Sequence, residues 1–178
     1  DDLAFLAVDV VDSTGMKLGE ETAIVEHDFR EYKRFVERIF AYRRLRALFR
    51  ARWTVGELVA FHTAHKLLLL AHSEVEYRRL GRLVAEAKQL ERAELRERYE
   101  QSFMGALARI ATSRRHTNVL QHMVGYLREG LDAADRAELA ALVEDYRREL
   151  VPLVVPIALL RHHVRRLEVA YLRDQIYL

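Results

Sequence analysis

The sequence predicts an all-α fold, a helical bundle of about seven helices behind one short N-terminal strand. Three observations carry that prediction. Only two Pro and seven Gly punctuate 178 residues. Long segments rich in Glu, Arg, Leu and Ala, all good helix formers, fill most of the rest. Apolar residues recur at helical rather than alternating spacing almost everywhere. The exception is residues 3–11, LAFLAVDVV, which are apolar, rich in Val and run into the turn residues DSTG. They read as a buried strand. A lone strand leaves backbone groups without partners, so this segment is out of place in an otherwise helical chain.

The helices follow in order. The first pattern runs from about residue 20 to 53, with a bend or break near Tyr42. Thr54 caps the next, 55–72. Ser73 and Glu76 form an S-x-x-E capping box for a third, reaching about residue 89. A fourth covers about 92–110. Thr112 or Ser113 caps a fifth, which Gly130 ends. Asp132 caps a sixth, to about residue 150. Pro152 and Pro156 then interrupt the chain, and Pro156 suits the first turn of a last helix. No internal repeat, low-complexity tract or flexible linker is visible.

Length and composition bound the class. The chain is long enough for one domain with a core, and it is 51% apolar, so it folds rather than staying disordered. It has no Cys, which excludes disulfides, thiolate-held iron–sulfur clusters and Cys-type zinc sites. That fits a cytoplasmic location. The formal net charge is only +2, so no concentrated basic face is announced. The local clusters YRRLRALFRAR and RHHVRR read first as solvated arginines whose stems cover apolar surface. No stretch approaches the roughly 20 apolar residues of a membrane span, and no membrane partner is expected. The chain opens at DDLAFLAV without Met or a signal peptide and reads as a fragment.

Three helices repay reading as wheels. On RRHTNVLQHMVGYL, Val119, Leu120, Met123, Val124, Tyr126 and Leu127 fill one arc, and Asn118, Gln121, Gly125, Arg128 and Glu129 the other. Arg115 and His122 lie at the border beside Tyr126, a stripe able to line a cleft or merely to snorkel. On VGELVAFHTAHKLLLLAH the run Leu67 to Leu70 points in every direction, which marks a central helix. His62, His65 and His72 share one stripe of it with Leu58 and Leu69. Three inward imidazoles are costly unless hydrogen-bonded; they are satisfied core groups or they line a site. Their i, i+3, i+10 spacing lacks the H-E-x-x-H pattern of a zinc helix, so no metal is expected. On PIALLRHHVRRL, His163 faces inward with Leu160, Val164 and Leu167, His162 faces water, and Arg161 lies near the boundary.

From about residue 35 the stretches FVERIFAYRRLRALF, LVAFHTAHKLLLLAHS, YRRLGRLVAEA, RHTNVLQHMVGYL, LVEDYRREL, VPLVVPIALLRHHVRR and YLRDQIYL resemble the YbgA-like family, a bacterial and archaeal domain of unknown function. The resemblance implies a frequent neighbour, a separate domain similar to thiouracil desulfurases that holds an iron–sulfur cluster on its own cysteines. Residues 1–37 are similar instead to the opening strand and helix of class III nucleotide cyclases. There an Asp at the position of Asp9 binds catalytic metals. Asp9 and the DST run at Asp12 match, but Asp12 stands where Gly is usual, and one Asp cannot hold two metals. Cyclase activity is therefore not expected. The chain divides on this reading into residues 1–34, a cyclase-like fragment, and 35–178, the helical domain. The junction near FVERIF marks a fusion, an assembled gene or a generated sequence.

Three functions stay open at this point. The first is an accessory or binding module for a nucleobase, nucleotide or RNA ligand, beside a thiouracil-desulfurase-like domain or protein. The second is an enzyme using His as general acid or base with Arg115 or Arg161 holding an anion. The third is a plain scaffold, dimeric through the long first helix. The binding candidates are His62, His65, Lys66, His72, Arg115, His116, Asn118, Gln121, His122, Tyr126, Tyr146, Arg161 and His163. No catalytic residue is assigned and no cofactor is expected. The first reading needs imidazole and guanidinium groups from separate helices to meet around one hollow.

Overall fold

The computed structural model describes residues 18–50 and 52–178. The strand expected at residues 3–11, with Asp9 and Asp12, lies outside the described residues. Among the described residues there is no strand, and eight α-helices account for most of the chain. They are α1 (Leu18–Arg50), α2 (Val55–His72), α3 (Glu74–Ala85), α4 (Arg92–Leu107), α5 (Ser113–Leu127), α6 (Ala133–Arg147), α7 (Val154–Arg166) and the single turn α8 (Ala170–Arg173), with a 3₁₀ turn at Ala87–Gln89. None of the described helices is long and apolar enough to cross a membrane.

The boundaries follow from capping chemistry. Helix α1 runs unbroken through Tyr42 and stops at Arg50, short of Trp53. Thr54 then adopts extended backbone, and Thr54 and Glu57 close a reciprocal capping box that starts α2. The box expected at Ser73 is half built. The Ser73 hydroxyl accepts from the Glu76 N–H, but the Ser73 N–H already donates to Leu69 O at 2.7 Å, because the same residue ends α2. Nothing remains for Glu76 to accept. Thr112 and Asp132 cap α5 and α6 as the sequence indicates. Gly130 lies beyond the end of α5, where an added Cβ would stand 2.9 Å from Leu167 Cδ1, so any larger residue there makes the Leu167 side chain shift. Helix α6 ends early, at Arg147. Glu149 takes a left-handed conformation (φ 61°), and the Leu150 N–H returns to Asp145 O.

The chain divides into two compact units, residues 1–43 and 44–178, with the boundary inside α1. In the first, Tyr32, Phe35, Ile39 and Phe40 on α1 are exposed. The second is the bundle proper. Its central helix is α2, which packs on α3, α4 and α5, while α5 also meets α6 and α7. All four leucines from Leu67 to Leu70 are buried, so the run that points in every direction does so because protein surrounds it. One core cluster joins Leu67, Leu70, Leu120, Met123, Leu127, Leu139 and Leu160.

Candidate functional site

The fifth helix carries the site. Arg114, Asn118, His122 and Tyr126 follow one another at intervals of four, so they climb one side of α5 while Val119, Leu120, Met123 and Leu127 face the core. That side forms one wall of an open cleft of about 700 Å³. Glu74, Tyr77 and Arg78 of α3 form the opposite wall, Leu67 and Leu70 of α2 the floor, and Tyr171 of α8 closes the end near Tyr126. The Tyr126 and Tyr171 rings lie 4.7 Å apart at 39°. Burial, then hydrogen bonding with Tyr126, pushes the Tyr171 phenol well above its ordinary range, so it stays neutral. Three guanidiniums, from Arg78, Arg114 and Arg115, face one carboxylate, Glu74. Glu74 pairs with Arg78 at 2.6 Å, and both side chains are exposed. The N-terminus of α5 adds its unpaired backbone donors at the arginine end.

Arg115 does two jobs there. Its Nη1 donates to His72 O and to Ile110 O, both at 2.9 Å, tying the end of α2 to the loop that enters α5. The His72 ring supports the same junction, with Nδ1 2.6 Å from Arg109 O. Arg115 is therefore partly a structural staple.

The four sequence candidates on this cleft are Arg115, Asn118, His122 and Tyr126. The others lie elsewhere, so the single hollow expected for His62, His65, Arg115, His122 and His163 does not form. His62 and His65 are buried beside Phe61, Tyr99 and Phe103. The His62 Nδ1 lies 3.2 Å from the Tyr99 hydroxyl, and the His65 Nδ1 donates to Phe61 O at 2.7 Å while its ring stacks on Phe61. Burial first, with Lys66 and Arg44 as nearby cations, lowers both imidazoles from 6.5 to about 4, so they are neutral near pH 7. Lys66 is half-buried and Gln121 exposed. The His116 Nδ1 lies 2.6 Å from the Tyr177 hydroxyl, with its ring edge-on to the buried Tyr146. His163 is buried, with Nδ1 4.0 Å from Asp135, which Arg166 holds from the exposed side. Arg161 is exposed and borders a small depression with Arg165 and Arg173.

The wheel put Tyr126 on the apolar arc, yet it is 54% exposed, because the surface it covers is the cleft rather than the core. Tyr77, Arg78, Arg114 and Tyr171 line the cleft without having been singled out. Arg114 was visible through its spacing of four to Asn118 and His122; Tyr171 had no signal, since the chain fold brings it there. Among the described residues no group of three or more His, Asp or Glu side chains is placed to hold a metal ion.

Fold and cleft together define a small helical-bundle domain with a cationic, tyrosine-walled groove. Residues 66–178 match the family model described as protein of unknown function (DUF1722), and the chain belongs to that family. It is 39% identical over 141 residues to the uncharacterized protein YbgA of Escherichia coli (strain K12), an alignment covering 79% of this chain and 83% of that one. No solved structure matches.

Proposed function

We propose that the domain is a binding module whose cleft holds a nucleotide or a short segment of RNA. The observation that carries this reading is the polarity of the groove. Guanidiniums and a helix N-terminus gather at one end, and a tilted pair of tyrosines, Tyr126 exposed and Tyr171 half-buried, stands at the other. Arginine at a helix N-terminus suits phosphate. Tyrosine faces suit a base, which stacks for about 1–3 kcal/mol. Asn118 and His122, between the two ends, offer the donors and acceptors that tell one base edge from another. The family resemblance implies a thiouracil-desulfurase-like neighbour. On this reading the module presents the nucleotide or RNA to that partner and carries no chemistry of its own.

The test is binding of UMP and of a short single-stranded RNA at low salt, by calorimetry or fluorescence anisotropy. Arg114→Ala is expected to weaken RNA binding about fivefold and to reduce the salt dependence by roughly one counterion. Tyr126→Ala is expected to weaken both probes. Absence of binding by the unaltered protein at low salt sinks the proposal, as does binding that neither substitution changes.

The enzyme reading keeps one specific observation, His122 lining the same cleft as Arg114 and Arg115. A general base there would give a pH-dependent turnover of a bound phosphate-bearing substrate, lost in His122→Gln with binding retained.

A further inference from the structure

The last segment, YLRDQIYL, is bound into the bundle by one side chain. Gln175 is 4% exposed. Its Oε1 accepts from Leu67 N at 3.3 Å and its Nε2 donates to Thr63 O at 2.8 Å. Thr63 and Leu67 stand four apart on α2, and their carbonyl and amide are the two groups that one rung of an α-helix joins. A carboxamide presents a donor and an acceptor side by side, matched to that pair; no other common side chain of this length does so. The same Nε2 lies 3.4 Å from Tyr171 O, tying down the turn that carries Tyr171, and the next residue, Ile176, donates its N–H to Ala64 O at 2.9 Å. Leu67 belongs to the cleft floor and Tyr171 to its wall. One buried amide thus touches the backbone of both.

We infer that Gln175 is the positioning residue of the cleft: by docking on the backbone of α2 it fixes the C-terminal segment so that Tyr171 stands against Tyr126 as the aromatic wall that receives the base. The inference rests on the nucleotide reading for its ligand, but the placement of Tyr171 is a separate claim.

The experiment has two arms, both on the whole chain. The first compares UMP with ribose 5-phosphate, which lacks a base, in the unaltered protein, Gln175→Glu, Tyr171→Ala and the double variant. Gln175→Glu keeps the length but sets a carboxylate oxygen against Thr63 O. It is expected to erase the preference for UMP, about tenfold, while leaving ribose 5-phosphate within about twofold. Tyr171→Ala is expected to do the same, and the double variant no more than either. The second arm uses no ligand: ¹⁹F NMR of protein carrying 3-fluorotyrosine, with the Tyr171 line assigned through Tyr171→Phe. In Gln175→Glu that line is expected to move to a solvent-exposed position while the Tyr99 line stays. An unmoved Tyr171 line, an intact UMP preference, or equal weakening of both probes overturns the inference. If neither probe binds the unaltered protein, the nucleotide reading falls and the ¹⁹F arm alone decides whether Gln175 positions Tyr171. Should Gln175→Glu not fold, Gln175→Asn, with the amide withdrawn by one carbon, replaces it in both arms with the same expected outcomes.

Discussion

Two histidine-bearing stripes, one on α2 and one on α5, look alike in sequence and differ in almost everything physical. On α2, His62 and His65 are enclosed by Phe61, Tyr99 and Phe103, and neither Nε2 has a hydrogen-bond partner among the described residues. On α5, Asn118, His122 and Tyr126 stand exposed along a cleft. The difference comes from the neighbours. Helix α2 is packed on several sides, so a polar group on its stripe has nowhere wet to go. Helix α5 presents one side to a gap that α3 leaves open. An imidazole on the first stripe carries a stability cost whenever it must be charged; on the second it is free to serve a ligand.

Acid is the strongest way to break that contrast. The folded values of His62 and His65 lie near 4 and the unfolded value at 6.5, so between these limits the unfolded chain binds protons that the folded one refuses. The contribution of this pair to stability is therefore flat above about pH 6.5, falls as pH drops toward 4, and levels below. At about 1.4 kcal/mol per pH unit, each ring withdraws roughly 3 kcal/mol over that window. Urea unfolding at several pH values reads the slope directly. His65→Leu loses a bond only to its own helix and is expected to stay within about 1 kcal/mol at pH 8 while removing about half of the slope. A slope unchanged in His65→Leu refutes the assignment.

Adjacent arginines sharpen the comparison next. Arg115 bonds two backbone carbonyls, whereas among the described residues no such bond is found for Arg114. Arg115→Met is expected to cost about 1–2 kcal/mol, since a charged donor leaves one partly buried and one exposed acceptor behind. Arg114→Met is expected to stay within about 0.5 kcal/mol, its effect appearing only in anion binding. Equal losses in the two variants would show that Arg115 is no staple. A smaller effect belongs to the buried stripe. Tyr99→Phe removes the hydroxyl that meets His62 Nδ1 and is expected to cost about 1 kcal/mol at pH 8.

How much of this was legible in the sequence depends on whether the cause is local. Helix existence, the caps at Thr54, Thr112 and Asp132, and the central place of α2 follow from spacing and side-chain type, which act within a few residues. The inward stripe of His62, His65 and His72 follows too. The meeting of those histidines with His122 and His163 does not, because it depends on which helices touch. Half of the cleft was visible as the border residues of α5. The other half, Arg78 and Tyr171, arrives through the packing of α3 on α2 and the return of the last segment, and neither leaves a periodic trace. Gln175 was equally silent. A lone Gln in the last segment has no pattern, and its partners, Thr63 and Leu67, take part through backbone groups that any residue would supply.

The gentlest probe is His122→Gln, the counterpart of His65→Leu on the open stripe. His122 is exposed, and a glutamine of similar reach can take its place on the cleft. Stability is expected to change by no more than about 0.5 kcal/mol from pH 8 to pH 5, so the pH slope set by the α2 pair should persist unaltered. Any effect should appear in the cleft instead. Gln retains one donor and one acceptor, so a binding role predicts a change in base preference with phosphate affinity kept. A general-base role predicts lost turnover with binding kept, because Gln cannot take up a proton near neutral pH. A stability loss comparable to that of a core substitution would place His122 with the buried histidines after all, and the distinction between the two stripes would dissolve.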